Sequence, residues 1–416
     1  MTDVARALFS AVSAALAHPG VPAVARGLEA VVRFGCRPSP DGEAVGAVDI
    51  VAGASGLAAR PADPARMPDV AVLADAGAWR RALSDPPPPL YQSFSAWQLR
   101  NEAFTVSGEP LAIAQCRALL EAVVEHWHPG APMAVDGPSL EGLVGRYHRV
   151  RGPGGRVADI FVESAGEGEP LLCLHTAGAD SRQYHELMAG ISQAASWRAM
   201  AFDMPAHGRS MPHRAWEGEA YALAQADYVG WCVAVIEQVI GRPATLLGCS
   251  MGAAIALAIA AQRPDLVRAA IALEAPVRPR GRRNPFLTHA RVHAGWHTAA
   301  YVRGLMSPMS PLGQRRRAAW IYAQGGPGVY DGDLRFYSDE FDGEAIARAI
   351  DGRRIPVVLM TGRYDFSATV EDAVALAGWI EGARLVEMPE LGHFPMTENP
   401  PLLLSYLLPE LERLSG

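Results

Sequence analysis

Two rhythms of apolar and polar positions divide this chain. From about residue 140 onward, short apolar runs alternate with stretches patterned as helices. Gly142 to Val150 and Arg156 to Ser164 read as a leading pair of antiparallel strands. Leu171-Leu172-Cys173-Leu174, Arg198 to Phe202, Thr245 to Leu247, Ala269 to Leu273, Val357 to Met360 and Arg384 to Glu387 read as core strands, most of them followed by a helix. That alternation is the mark of an open, mostly parallel sheet, so the pattern predicts an α/β fold on eight strands. The interval from about Arg278 to Asp351 breaks the rhythm. It is long, aromatic and helical in pattern, and an insertion there would sit over the strand ends as a cap.

The N-terminal third is patterned differently. Val4, Leu8, Val12 and Leu16 recur every four residues, as on one face of a helix. Strands are expected at Val45 to Val51, Val70 to Leu73 and Ala103 to Val106. Helices are expected at Trp79 to Leu83, near Tyr91 to Leu99, and from Glu109 onward with Leu111, Leu119, Leu120 and Val123 on its apolar face. Pro129-Gly130-Ala131-Pro132 and Asp136-Gly137-Pro138-Ser139 then read as a linker. The expected organisation is an α+β accessory domain over 1–130, a linker over 131–139, and an α/β domain over 140–416 with its cap at about 278–351. At 416 residues, two domains are also what length alone suggests.

The order of the first domain resembles the sterol-carrier-protein-like fold. The resemblance rests on Asp75-Ala76-Gly77-Ala78-Trp79, on Phe104-Thr105-Val106-Ser107-Gly108-Glu109 and on a closing helix. It implies a sheet and helices around an apolar tunnel for a lipid-like ligand. The residues themselves leave another reading open: a domain that packs on the catalytic unit, shapes its entrance or makes a homodimer.

Composition removes several functions. The net charge of -7 argues against nucleic acid as a partner. The chain contains no lysine, which excludes a lysine Schiff base, a pyridoxal-phosphate enzyme and a Walker-A phosphate loop. No Gly-x-Gly-x-x-Gly follows a strand, and no cofactor is expected. The cysteines Cys36, Cys116, Cys173, Cys232 and Cys249 are scattered and odd in number, as for reduced core residues in a cytoplasmic protein. Asp3 stands where a signal peptide carries positive charge, and no apolar stretch approaches a membrane span. His289, His293 and His297 fall at zinc-compatible spacing, but no acidic residue joins them in a His-Glu-x-x-His arrangement, and a cap helix facing the substrate cleft is the expectation. The arginine runs at 278–283 and 315–317 read as solvated loops.

The decisive motif is Gly248-Cys249-Ser250-Met251-Gly252. Ala244-Thr245-Leu246-Leu247 enters it as a buried strand, and Ala253 to Ile259 leaves it as a helix of strong helix formers. A turn this tight forces Ser250 into a strained conformation with its hydroxyl held above the sheet. The backbone N–H of Met251, at the helix start, can then face a developing negative charge. An alcohol needs a general base, and the base an orienting acid. His393, in a loop after the last strand, is the base candidate. Asp365, in Thr361-Gly362-Arg363-Tyr364-Asp365 after an apolar strand, is the acid, preferred over Glu274. Ala177, in His175-Thr176-Ala177-Gly178, is the second candidate oxyanion donor. Thr176 occupies a position where glycine is common, so the turn must differ or carry strain. His175, Thr176, Trp296 and Trp320 are candidate substrate contacts.

Taken together, residues 140–416 resemble an α/β hydrolase with a cap. The order Ser, Asp, His fits that family, and Asp203-Met204-Pro205-Ala206-His207-Gly208-Arg209-Ser210 resembles its Asp-x-Pro-Gly-x-Gly-x-Ser turn, with Ala206 in place of a glycine. The resemblance implies attack by Ser250 on an acyl carbon, an acyl-enzyme, and release by water activated by His393. The expected substrate is a small ester, lactone or thioester of a fairly apolar acyl group. Carbon–carbon hydrolysis of a diketone-type ring-cleavage product is the alternative within the same chemistry. A non-catalytic protein binding a lipid-like ligand is the alternative of another class.

Overall fold

A computed structural model describes residues 3–37, 46–132, 137–194, 196–279 and 282–415. The centre of the expected linker, residues 133–136, therefore lies outside the described residues. The chain divides into two compact units, one formed by 1–133 with 288–319, the other by 134–287 with 320–416. The expected cap is thus divided: residues 288–319 fold with the N-terminal unit, while 320–351 stay with the sheet of the second.

The first unit is built on a five-stranded sheet of β1 (Ala30–Cys36), β2 (Ala47–Gly53), β3 (Gly56–Pro61), β4 (Val70–Ala74) and β5 (Phe104–Gly108), in the order β3-β2-β1-β4-β5. Two strands, β1 and β3, are additional to those expected, and β1 is the central one. Arg33 interrupts its apolar run, which hides it from pattern reading. In the sheet Arg33 stands opposite Asp49 of β2 and donates to both carboxylate oxygens at 2.7 and 2.9 Å. The helix Asp3–Ala17 buries Val4, Leu8 and Val12, the stripe expected from the four-residue spacing. The helix Pro110–Glu125 carries a buried Arg117, whose guanidinium lies 4.1 Å from the ring centroid of Tyr301 on the helix Ala294–Leu305. Ser93 Oγ donates to Gly304 O of the same helix at 2.8 Å, so the 288–319 segment is part of this unit's core.

The second unit holds the mostly parallel eight-stranded sheet. Its strands are β6 (Val144–Arg151), β7 (Val157–Ala165), β8 (Glu169–Leu174), β9 (Trp197–Phe202), β10 (Ala244–Cys249), β11 (Val267–Leu273), β12 (Val357–Gly362) and β13 (Arg384–Met388). They run in the order β13-β12-β11-β10-β8-β9-β7-β6, with β6, β7 and their junction to β9 antiparallel. Central β10 is buried at every position, as a strand covered on both faces must be. The helix Met251–Gln262 behind it is apolar all round. Ile255, Leu257 and Ile259 are fully buried, each contributing about 1.5–3 kcal/mol.

The turn at 203–210 joins these layers. Asp203 Oδ1 accepts the Ser181 N–H at 2.8 Å and Oδ2 the Arg209 N–H at 2.7 Å, while Ser210 Oγ donates to Asp203 O at 2.7 Å. Ala206, at the position where the related turn has glycine, is held at φ 72°. A residue with a Cβ is disfavoured there by roughly 1–2 kcal/mol. Ala206→Gly is therefore expected to raise the unfolding free energy by about 1 kcal/mol, read as a higher urea midpoint with unchanged slope.

Candidate active site

Ser250 sits at φ 55°, ψ −116°, between β10 and the helix Met251–Gln262. Two glycines make this turn sterically feasible. A Cβ on Gly248 would lie 2.1 Å from Gly252 O, and one on Gly252 would lie 2.1 Å from Leu174 O of β8. The serine is pinned from both sides of its own peptide: its N–H donates to Leu273 O at 2.9 Å, and its carbonyl accepts the Ala254 N–H at 3.0 Å.

The structure brings Ser250, His393 and Asp365 together. His393 Nε2 is 2.8 Å from Ser250 Oγ, and His393 Nδ1 is 2.5 Å from Asp365 Oδ2. All three residues are buried, so solvent screens neither contact strongly. The other oxygen of Asp365 accepts the Ser367 N–H at 2.7 Å. The histidine loop is held by Glu398, which accepts the Gly392 N–H at 2.6 Å, and by the Cys249 thiol, which donates to His393 O at 3.2 Å.

Glu274, the competing acid, lies behind this chain. It is fully buried at φ 50°, and its carboxyl accepts the Gly362 N–H at 2.8 Å. Burial, then the neighbouring Asp365 charge and their mutual hydrogen bond, push its carboxyl well above the usual range. Glu274 is thereby biased towards its protonated form, in which it can donate to Asp365 and steady it.

The backbone N–H groups of Met251 and Ala177 have no acceptor among the described residues. They are available to an oxyanion. Thr176 is not at positive φ, so the substitution for glycine carries no strain there. Its N–H donates to Gln183 Oε1 at 3.0 Å, and its hydroxyl meets Gln183 and Tyr322 Oη. His175 is also occupied: Nδ1 contacts Thr176 O at 2.9 Å and Nε2 accepts the Met204 N–H at 3.2 Å. Through these bonds both residues shape the loop.

Of the two tryptophans, Trp320 belongs to the same unit as Ser250 and lies exposed beneath the Arg182 guanidinium, 5.6 Å from its ring centroid. Trp296 belongs to the other unit. The expected histidine stripe does not form, because the helix starts only at Ala294. His293 caps it, accepting the Trp296 N–H at 3.3 Å, and His297 is buried against Ala114 O at 3.2 Å.

Sequence reading missed Tyr337. This residue lies in a wide helical turn, Phe336–Glu340, and its hydroxyl is 3.0 Å from Ser250 Oγ. Burial pushes its phenol up, so it stays protonated and can donate. Nothing in the insertion's pattern distinguishes it from the other aromatic residues around it.

The family model for the alpha/beta hydrolase fold matches residues 169–400, more than half of the chain. The chain therefore belongs to the alpha/beta hydrolase fold family. Among curated proteins it is similar to (E)-2-((N-methylformamido)methylene)succinate hydrolase of Acinetobacter baylyi, 31% identical over 113 residues, 27% of this chain and 39% of that protein. It is also similar to pimeloyl-[acyl-carrier protein] methyl ester esterase of Neisseria meningitidis, 33% identical over 98 residues, 24% of this chain and 33% of that one. The matches span well under half the length of these relatives. Among solved structures, an esterase from Thermogutta terrifontis aligns with TM-score 0.55 at 17% identity, covering 65% of this chain and 100% of that one. An enol-lactonase from Burkholderia xenovorans aligns with TM-score 0.55 at 19% identity, covering 64% and 100%. These two show the fold. No described helix is long and apolar enough to cross a membrane.

The protonated state of Glu274 has a measurable sign. A carboxyl raised by folding contributes stability below its unfolded pKa, about 4.3, and that contribution is lost as pH rises towards its folded value. Glu274→Gln keeps the shape and is expected to flatten this decline in unfolding free energy above pH 5. Glu274→Ala leaves the Gly362 N–H unpaired and is expected to cost about 1–3 kcal/mol at every pH. Urea unfolding across pH 5–8 would check both.

Proposed function

We propose that this protein is a serine hydrolase cleaving an ester, lactone or thioester of a relatively apolar acyl group. The observation that carries the reading is the continuous chain from Ser250 Oγ through His393 to Asp365, at 2.8 and 2.5 Å, beneath a serine held in strained backbone. Ser250 Oγ attacks the acyl carbon while its proton passes to His393 Nε2. Asp365 accepts from Nδ1 and stabilises the imidazolium that forms. The carbonyl oxygen becomes an oxyanion facing the N–H groups of Met251 and Ala177. Collapse breaks the bond to the leaving group, which takes the proton from His393. Water then gives a proton to His393 and its oxygen to the acyl carbon, and Ser250 is restored as the acid departs. Family membership supports hydrolysis, and the names of the curated relatives, an esterase and a hydrolase, support carbonyl substrates.

A fluorophosphonate probe with intact-mass readout tests the serine. One adduct is expected on wild type and none on Ser250→Ala or His393→Ala. Asp365→Asn is expected to reduce kcat for a short 4-nitrophenyl ester by about 10³–10⁴-fold while the protein stays folded. A well-folded wild type that takes no adduct would overturn the reading in favour of a ligand-binding protein. Turnover of a vinylogous diketone with no ester cleavage would move it to carbon–carbon hydrolysis.

A further inference from the structure

A buried charged pair lies directly behind the candidate oxyanion loop. Asp333, on the helix Val329–Arg335 of the insertion, is wholly buried. Its Oδ2 accepts two hydrogen bonds, from the Gly178 N–H at 2.7 Å and from His207 Nε2 at 2.8 Å. Its Oδ1 accepts from Tyr221 Oη at 2.9 Å. The other ring nitrogen of His207 lies 3.1 Å from Pro205 O, an atom that can only accept. With Asp333 as a carboxylate, both contacts are satisfied when both nitrogens donate, so the site favours His207 as an imidazolium.

Gly178 follows Ala177, so the bond that Asp333 makes to it fixes the peptide next to the candidate donor. The glycine is also seated against the same helix. It is held at φ 68°, and a Cβ there would lie 2.5 Å from the ring of Tyr330. We propose that Asp333 is a positioning residue for the oxyanion hole: with His207 as its buried counter-charge, it clasps the 175–178 loop and aims the Ala177 N–H. This rests on the serine-hydrolase reading for its catalytic consequence. One helical turn beyond Asp333, the same segment brings Tyr337 to Ser250 Oγ, so one stretch of the insertion reaches both the nucleophile and the loop.

The charge state of His207 is set by everything that faces it. Burial alone pulls its pKa down; the Asp333 charge and hydrogen bond, the Pro205 carbonyl and the Asp203 carboxylate outweigh that, and the net direction is up. His175 lies beside it, its ring tilted by 41°, at 4.8 Å between ring centroids. Burial, then the positive His207, hold His175 neutral. Tyr221 meets the ring edge-on at 5.5 Å, and Arg209 is engaged with Asp203 and Glu163. The counter-charge is therefore fully present below the ordinary histidine range and is lost as pH rises through the elevated value of His207. Its loss weakens the clasp by leaving the Asp333 charge buried without it.

The test compares wild type with Asp333→Ala and the isosteric Asp333→Asn in the full chain. Two readouts are taken: kcat and KM for a short 4-nitrophenyl ester across pH, and amide hydrogen exchange of the peptide carrying 175–178. Asp333→Ala is expected to lower kcat by about 10²-fold, as for loss of one oxyanion donor, with KM changed less than about threefold. Loop exchange should quicken at least about tenfold while exchange in β10 stays unchanged. Asp333→Asn keeps an acceptor for Gly178 but removes the counter-charge. Its rate should fall off at lower pH than that of wild type, and this variant decides the matter if the alanine variant does not fold. Wild-type kcat, pH profile and loop exchange in a folded variant would overturn the proposal. If wild type turns over no ester, the hydrolase reading falls, and the exchange measurement alone then decides whether Asp333 holds the loop.

Discussion

The close approach of Gly252 to the backbone of β8 is the constraint on which the rest of the site depends. No atom can stand between the helix start and Leu174 O, so the helix is drawn down onto the sheet and the turn before it has no room to relax. Ser250 takes up that strain at φ 55°. Roughly 1–3 kcal/mol of unfavourable backbone energy is held there by the burial of the helix behind it, whose apolar residues have no other place to go. The nucleophile's position is therefore a by-product of core packing, and that makes it rigid.

Around this fixed point the polar groups are ordered in depth. The serine hydroxyl faces His393, His393 faces Asp365, and behind Asp365 lies Glu274, a carboxyl that burial biases towards its protonated form. Two adjacent buried carboxyls cannot both ionise cheaply. Of the two, it is the carboxyl tied to the Gly362 N–H that burial and its neighbour push towards the protonated form. The candidates Asp365 and Glu274 weighed from the sequence are both present at the site, with different duties.

The eight strands of the main sheet were legible, the six that follow β7 as short apolar-centred runs at an α/β spacing and the largely exposed β6 as the partner of β7 in the leading antiparallel pair. The Gly248-to-Gly252 motif, His393 and Asp365 were legible because strand ends carry chemistry in such folds. Central β1 was not, since Arg33 breaks its pattern and the compensating Asp49 lies on another strand. Tyr337 and Asp333 were not, since a tyrosine and an aspartate in an irregular insertion have no period to betray them. Nor was the division of the insertion legible: the helix Ala294–Leu305 is amphipathic whichever unit it joins, and only three-dimensional packing decides between them.

That division has a consequence for how the chain comes into being. The N-terminal unit needs residues that are made only after most of the sheet of the other unit has left the ribosome. Until then Arg117 lacks the Tyr301 ring that covers it, Ser93 lacks the Gly304 carbonyl it donates to, and Glu125 lacks the Arg303 that pairs with it at 3.0 Å. Vectorial synthesis therefore cannot finish the first unit first. Buried Glu125 waits for its arginine until a segment from the middle of the later chain is delivered, so the first unit is closed by residues its neighbour's sequence encloses.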